Sequence, residues 1–230
     1  MRYVLPIAAI LLGTLTCAPQ AEPVQAERRH DPTDSERKSS SASRVWKASY
    51  AAEAAGQFQA ALTALTELPQ AQRDGYLASF RRGWLLYCLS QHAESAAEYK
   101  QAAMAEPQSI EARLGILLPL MALTRWNDVV ALAEDVLKRD PENYLALQRL
   151  AFAKFSSEHF PEAEVVYRRL VAHYPSDGEM RAALGWVLLR MGKKKEAVSF
   201  FEQVLEVSPD HVSATAGMRL ANAPRAKMKF

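Results

Sequence analysis

Cysteine is almost missing from this 230-residue chain: only Cys17 and Cys88 occur, too few for a disulfide framework. Cys88 stands among Leu86, Tyr87 and Leu89 and reads as a small buried apolar residue rather than a reactive thiol. Charge of one sign is also scarce. With 28 basic against 26 acidic side chains the net charge is +2, which excludes the strong basic field of a nucleic-acid binder. Catalytic and ligand signatures are missing as well. His92, His159, His173 and His211 are scattered, with no His-Glu-x-x-His or paired-cysteine spacing, so no metal site is expected. There is no phosphate-cradling glycine loop and no Ser or Cys in a nucleophile setting, so we expect no enzyme activity, no catalytic residue and no cofactor. Glycines number nine and prolines twelve, and alternating β-branched runs are lacking. The long Ala, Leu, Glu, Lys and Arg stretches between them point to an almost wholly helical protein.

What is present begins with MRYVLPIAAILLGTLTC, one Arg followed by a hydrophobic run too short to span a bilayer well. It reads as a secretory signal within residues 1–26 and admits two processing routes. One is cleavage after Ala26, where Val24-Gln25-Ala26 precedes Glu27. The other is acylation of Cys17, as in a bacterial lipoprotein, although Thr14-Leu15-Thr16 matches the lipoprotein motif only loosely. Residues 27–42, rich in charge and serine and without periodic apolar positions, are expected to form a disordered linker in which His30 and Asp31 are solvated.

From there on the chain repeats. Pro107, Pro141, Pro175 and Pro209 are spaced by 34 residues, and other columns keep the same register. Ala61, Ser95, Val129, Ala163 and Ala197 form a small-residue column; Leu65, Tyr99, Ala133, Tyr167 and Phe201 follow four positions later; Leu68, Ala102, Val136, Leu170 and Val204 follow three further on. This is helical i, i+4, i+7 spacing. Ahead of it stand Phe58, His92, Trp126, Phe160 and Lys194, just past the turns at Gly56 and Gly192. Each unit reads as helix, turn, helix, and one such pair cannot cover its own apolar stripe, so neighbours stack. Two places depart from the pattern. Arg73 occupies the place of the first terminal proline, giving a looser exit through PQAQRDG. Pro119 lies inside a helix in ARLGILLPLMAL, where a kink eased by Gly115 is expected.

These columns, and above all Leu184-Gly185, Gly192, Ala197, Phe201 and Pro209, closely resemble the tetratricopeptide repeat family. The resemblance implies an all-α fold, a right-handed α-solenoid of about five helix pairs over residues 43–221 with a C-terminal capping helix from about His211 to Ala221. A basic tail, residues 222–230, would follow, and the Lys193-Lys194-Lys195 run reads as a solvated turn.

By the same resemblance, a first-helix column of Tyr50, Trp84, Leu118, Phe152 and Trp186 faces the groove where the family binds ligands. Trp46 and Phe80 flank it on one side, and Tyr87, Met121 and Phe155 on the other. The family often places a polar amide in the central column, whereas here it is apolar and, except for Leu118, aromatic. The Lys, Asn and Arg clamp of the chaperone-binding members is replaced by Trp46, Tyr50, Phe80, Trp84 and Leu114. The expected partner is a protein or peptide with an apolar or amphipathic segment. A packed arrangement of these rings, with no open groove, stands beside that reading. The function expected is an interaction scaffold or assembly factor, exported to the periplasm or cell envelope, as an outer-membrane lipoprotein if Cys17 is acylated, or secreted. A self-associating structural protein and an accessory subunit of an envelope enzyme or secretion complex are the alternatives. Membrane contact is expected only through the lipid anchor, and the oligomeric state is left open.

Overall fold

The computed structural model describes residues 34–223. The signal, Cys17, linker residues 27–33 and most of the basic tail lie outside the described residues. The chain divides after Thr124 into two compact units. The first holds α1 (Asp34–Ala54), α2 (Phe58–Ala64) with a 3-10 turn over Leu65–Glu67, α3 (Gln70–Arg73), α4 (Tyr76–Cys88), α5 (His92–Ala105) and α6 (Ile110–Ala122). The second holds α7 (Trp126–Arg139), α8 (Tyr144–Ser156), α9 (Phe160–His173), α10 (Gly178–Arg190), α11 (Lys194–Val207) and α12 (Val212–Ala221). Among the described residues there is no strand. Nor is any helix among them long and apolar enough to cross a membrane.

The 34-residue register is written into the backbone. Residues with positive φ are Gly56, Ser90, Thr124, Glu158 and Gly192, one at the end of each first helix. There the chain leaves the helix through paired bonds: Gly192 N donates to Leu189 O at 3.1 Å and Lys193 N to Leu188 O at 2.9 Å. These reversed bonds satisfy carbonyls that the helix end would otherwise orphan. Helix starts obey the same period. Ser109, Asn143, Asp177 and His211 each accept a hydrogen bond from the backbone N–H three residues on, capping α6, α8, α10 and α12. His211 is thus the cap of the last described helix.

Packing follows from the aromatic column of the second helices. The Tyr99 ring fits between α4 and α6 where both carry glycine: a Cβ on Gly83 would lie 2.8 Å, and one on Gly115 2.4 Å, from its carbons. Phe201 makes the same fit between Gly185 and Gly217. Gly115 is therefore required by the ring packed against it. Helix α6 runs unbroken through Pro119, whose carbonyl accepts from Leu123 N at 3.0 Å. In the second unit, Tyr167 is fully buried in one cluster with Ala151, Ala183, Leu147, Leu170 and Met180.

Two boundaries differ from expectation. The first helix begins at Asp34, inside the segment assigned to a disordered linker, and Ala42 and Val45 are already buried with Ala61, Leu65, Leu68, Ala78 and Leu85. A packed helix extends backwards into polar sequence at little cost, because propagation needs no new nucleus. The first copy leaves through the 3-10 turn and the short α3, with the Arg73 guanidinium donating to Leu68 O at 3.0 and 3.3 Å in place of a terminal proline.

Candidate functional site

In the first unit, α1 and α4 lie side by side and share one face. Helical spacing puts Trp46, Ser49, Tyr50 and Glu53 on that face of α1, and Phe80, Arg81, Trp84 and Tyr87 on that of α4. The rings of α4 form two groups, each reaching a ring of α5. Phe80 stacks on Tyr76 with centroids 5.8 Å apart and meets Tyr99 edge-on at 5.2 Å. Trp84 stacks on Tyr87 at 6.0 Å, and Tyr87 leans on His92 at 5.3 Å. Trp46, Phe80, Trp84 and Tyr87 are half-buried, and Tyr50 is 57% exposed.

Beneath these rings runs a polar seam that the apolar columns did not disclose. Arg81, 6% exposed, donates from Nη1 to Glu53 Oε2 at 2.7 Å and from Nε to Ser49 Oγ at 2.8 Å. Ser49 Oγ in turn donates to Ala61 O at 2.9 Å. The other Glu53 oxygen accepts from Trp84 Nε1 at 2.6 Å, which fixes the indole. The Arg81 guanidinium carbon lies over the Tyr50 ring, 3.6 Å from its centroid. A buried ion pair is weak evidence for stability, yet removing one partner strands the other charge and costs about 3–5 kcal/mol. In the 34-residue register Glu53 stands where the other copies carry Tyr87, Met121, Phe155 and Leu189, whereas the Arg81 column also holds Lys47 and Arg149, so the charge at 53 was visible but its pairing was not.

The remaining expected groove residues separate by burial. On α6, Leu118 is half-buried and Met121 buried. In the second unit Phe155 is half-buried, edge-on to Phe160 at 5.6 Å. Phe152 is buried and meets Trp126 edge-on at 5.7 Å. Trp186, expected at the centre of the groove, is packed inside the second unit at 7% exposure. Its Nε1 donates to Ser213 Oγ at 3.0 Å and its ring meets Phe201 edge-on at 5.9 Å. Trp186 thus bonds to the following helix, α12, whereas its counterpart Trp84 bonds back to the buried Glu53 on α1 and packs against the core of the first unit.

Electrostatics in the second unit are structural. Glu164 on α9 accepts from Lys193 at 2.6 Å and Arg168 at 2.7 Å, and Arg168 also binds Glu196 on α11. Burial pushes the Glu164 carboxyl up, but the two cations outweigh it and hold it below its ordinary value. Lys154 on α8 lies between Glu162 at 2.6 Å and Glu134 at 3.6 Å, and its hydrogen bond to Glu162 raises its pKa. No group of three or more His, Cys, Asp or Glu among the described residues is placed to hold a metal ion.

Known proteins match this arrangement. Three family models, each described as tetratricopeptide repeat, match residues 47–110, 120–187 and 178–211. A TPR repeat-containing protein of Pseudomonas aeruginosa is 27% identical over 95 residues, 40% of this chain. The chain spans only 16% of that relative's length. Among solved structures, MamA from Desulfovibrio magneticus RS-1 aligns over 75% of this chain and 97% of its own, with 17% identity and a TM-score of 0.69. YrrB, described as a TPR protein with an unusual peptide-binding site, aligns over 80% and 95%, with 12% identity and a TM-score of 0.66. A thermophilic TPR protein of Thermus thermophilus aligns over 78% and 97%, with 16% identity and a TM-score of 0.58. At these identities the structural likeness speaks for the fold. With repeat models covering both units and the turn, cap and ring registers all recurring at one period, the chain belongs to the tetratricopeptide repeat family.

Proposed function

We propose that this protein is a non-catalytic scaffold that holds an apolar or amphipathic segment of a partner protein against the aromatic face shared by α1 and α4. The observation that carries this reading is Trp84. Its indole is half-buried, stacked on Tyr87 and oriented by Glu53, so it offers a large apolar surface at little remaining entropic cost. Trp46, Tyr50 and Phe80 extend that surface. Support also comes from YrrB, a structure of the same fold described by its peptide-binding site. The hydrophobic N-terminal run supports export to the periplasm or cell envelope, with Cys17 acylation as the route to the outer membrane.

A displayed random-peptide library tests the binding reading. Selection on the intact protein should enrich peptides with aromatic or leucine anchors. Those peptides should bind Trp84→Ala more weakly by about 2 kcal/mol, as a central aromatic anchor does. Equal binding to the variant would remove the groove from the account.

A further inference from the structure

One donor in the seam under this face is left without an acceptor. Arg81 Nη2 is buried and makes no hydrogen bond, although Nε and Nη1 of the same guanidinium are both engaged. An unsatisfied buried donor on a charged group carries the desolvation penalty in full, and such groups call for an explanation. One face of this guanidinium lies against an exposed ring. The Tyr50 ring lies 3.6 Å from the guanidinium carbon, yet the residue is 57% exposed. An exposed aromatic ring changes rotamer on the picosecond to nanosecond scale, so the cover can open without disturbing the helices.

We infer that Arg81 Nη2 is a recognition donor beneath Tyr50, taking a main-chain carbonyl from the apolar segment that lies on Trp84. The inference rests on the reading of this face as a partner site. The charge balance selects the ligand class. Glu53 already neutralises Arg81 inside the protein, so a second buried carboxylate would face its negative charge, whereas a neutral carbonyl satisfies the donor without adding charge. The apolar rings beside it cover the flanking side chains, so the Nη2 contact would fix where the segment's backbone lies.

The test uses the whole chain with ¹⁵N-labelled arginine, probed by N-methylacetamide, which carries a peptide carbonyl, and by acetate, which carries a carboxylate, at the same concentration. The Arg81 resonances are identified by their loss in Arg81→Lys. N-methylacetamide should shift the Arg81 Nη signals in the native protein and shift them about threefold further in Tyr50→Ala at equal concentration, because the closed ring no longer competes. Tyr50→Phe should behave as the native protein. Circular dichroism confirms the fold; if Tyr50→Ala loses helix, Tyr50→Leu replaces it. No selective shift in the variant, a smaller shift than in the native protein, or a stronger response to acetate would each overturn the inference. Selected peptides that bind through Trp84 while the Arg81 signals stay unmoved would sink this inference alone. Arg81 signals that respond as expected while Trp84→Ala leaves peptide binding unchanged would sink only the groove reading.

Discussion

Thr124 holds φ at 54°, a left-handed conformation that a β-branched side chain rarely tolerates. Ser90 and Glu158 occupy the same place in neighbouring copies, where Gly56 and Gly192 sit without strain. Each non-glycine therefore costs about 1–2 kcal/mol against glycine in the folded state, partly offset by glycine's freer unfolded chain. Thr124→Gly should raise stability by about 1 kcal/mol, and Ser90→Gly and Glu158→Gly by no more, read as a higher urea midpoint with unchanged slope. Gly115 shows the opposite constraint. A methyl group there would sit 2.4 Å from the Tyr99 ring, held on its other side by α4, so Gly115→Ala should lower stability by about 1–3 kcal/mol. A rise would mean that the ring has room to move.

At the scale of elements, most of what holds one helix to the next was legible in the sequence, because the period repeats each burial rule several times. Small columns mark close approach, and prolines mark ends. What escaped is what occurs once. The Glu53–Arg81 pair joins the first helices of two consecutive copies, 28 positions apart, and no other pair of copies sets a carboxylate opposite an arginine there. The start of α1 escaped for another reason: Asp34 to Ser41 carries no apolar stripe, and its helix is continued from packed residues downstream. The Glu164 network is likewise single, joining α9 to the turn before α11 and, through Arg168, to α11 itself. Its carboxyl titrates below the ordinary value of 4.5, so the unfolded chain takes up this proton first as pH falls. The stability it provides is complete above that ordinary value and is lost as pH drops through the lower folded value. Glu164→Gln should therefore reduce the melting temperature at pH 7 and leave a smaller acid-induced drop below about pH 4.5 than the native protein shows. Identical pH profiles would remove Glu164 from the acid sensitivity.

Across the whole molecule, one sequence column places its rings at two depths. Trp84 and Trp186 stand three copies apart in the same register, and the sequence could not tell them apart because what differs is the residue each indole meets: Glu53 in the first unit, Ser213 in the second. The two indoles thus bond to neighbours 31 positions back and 27 positions on. Binding and stability should separate accordingly. Trp186→Ala removes a ring from the packed interior, strands no large charge, and should cost about 3–5 kcal/mol, lowering the melting temperature by roughly 10 °C or more. It should leave the affinity for selected peptides unchanged at temperatures where the variant is folded. Trp84→Ala should do the reverse: affinity falls while the loss of stability stays smaller, since the ring is only half-buried and Glu53 keeps Arg81 as its partner. Thermal unfolding and peptide titration on both variants decide this. Equal destabilisation of the two would return Trp84 to the core, and lost peptide binding in folded Trp186→Ala would mean that the second unit shapes the site as well.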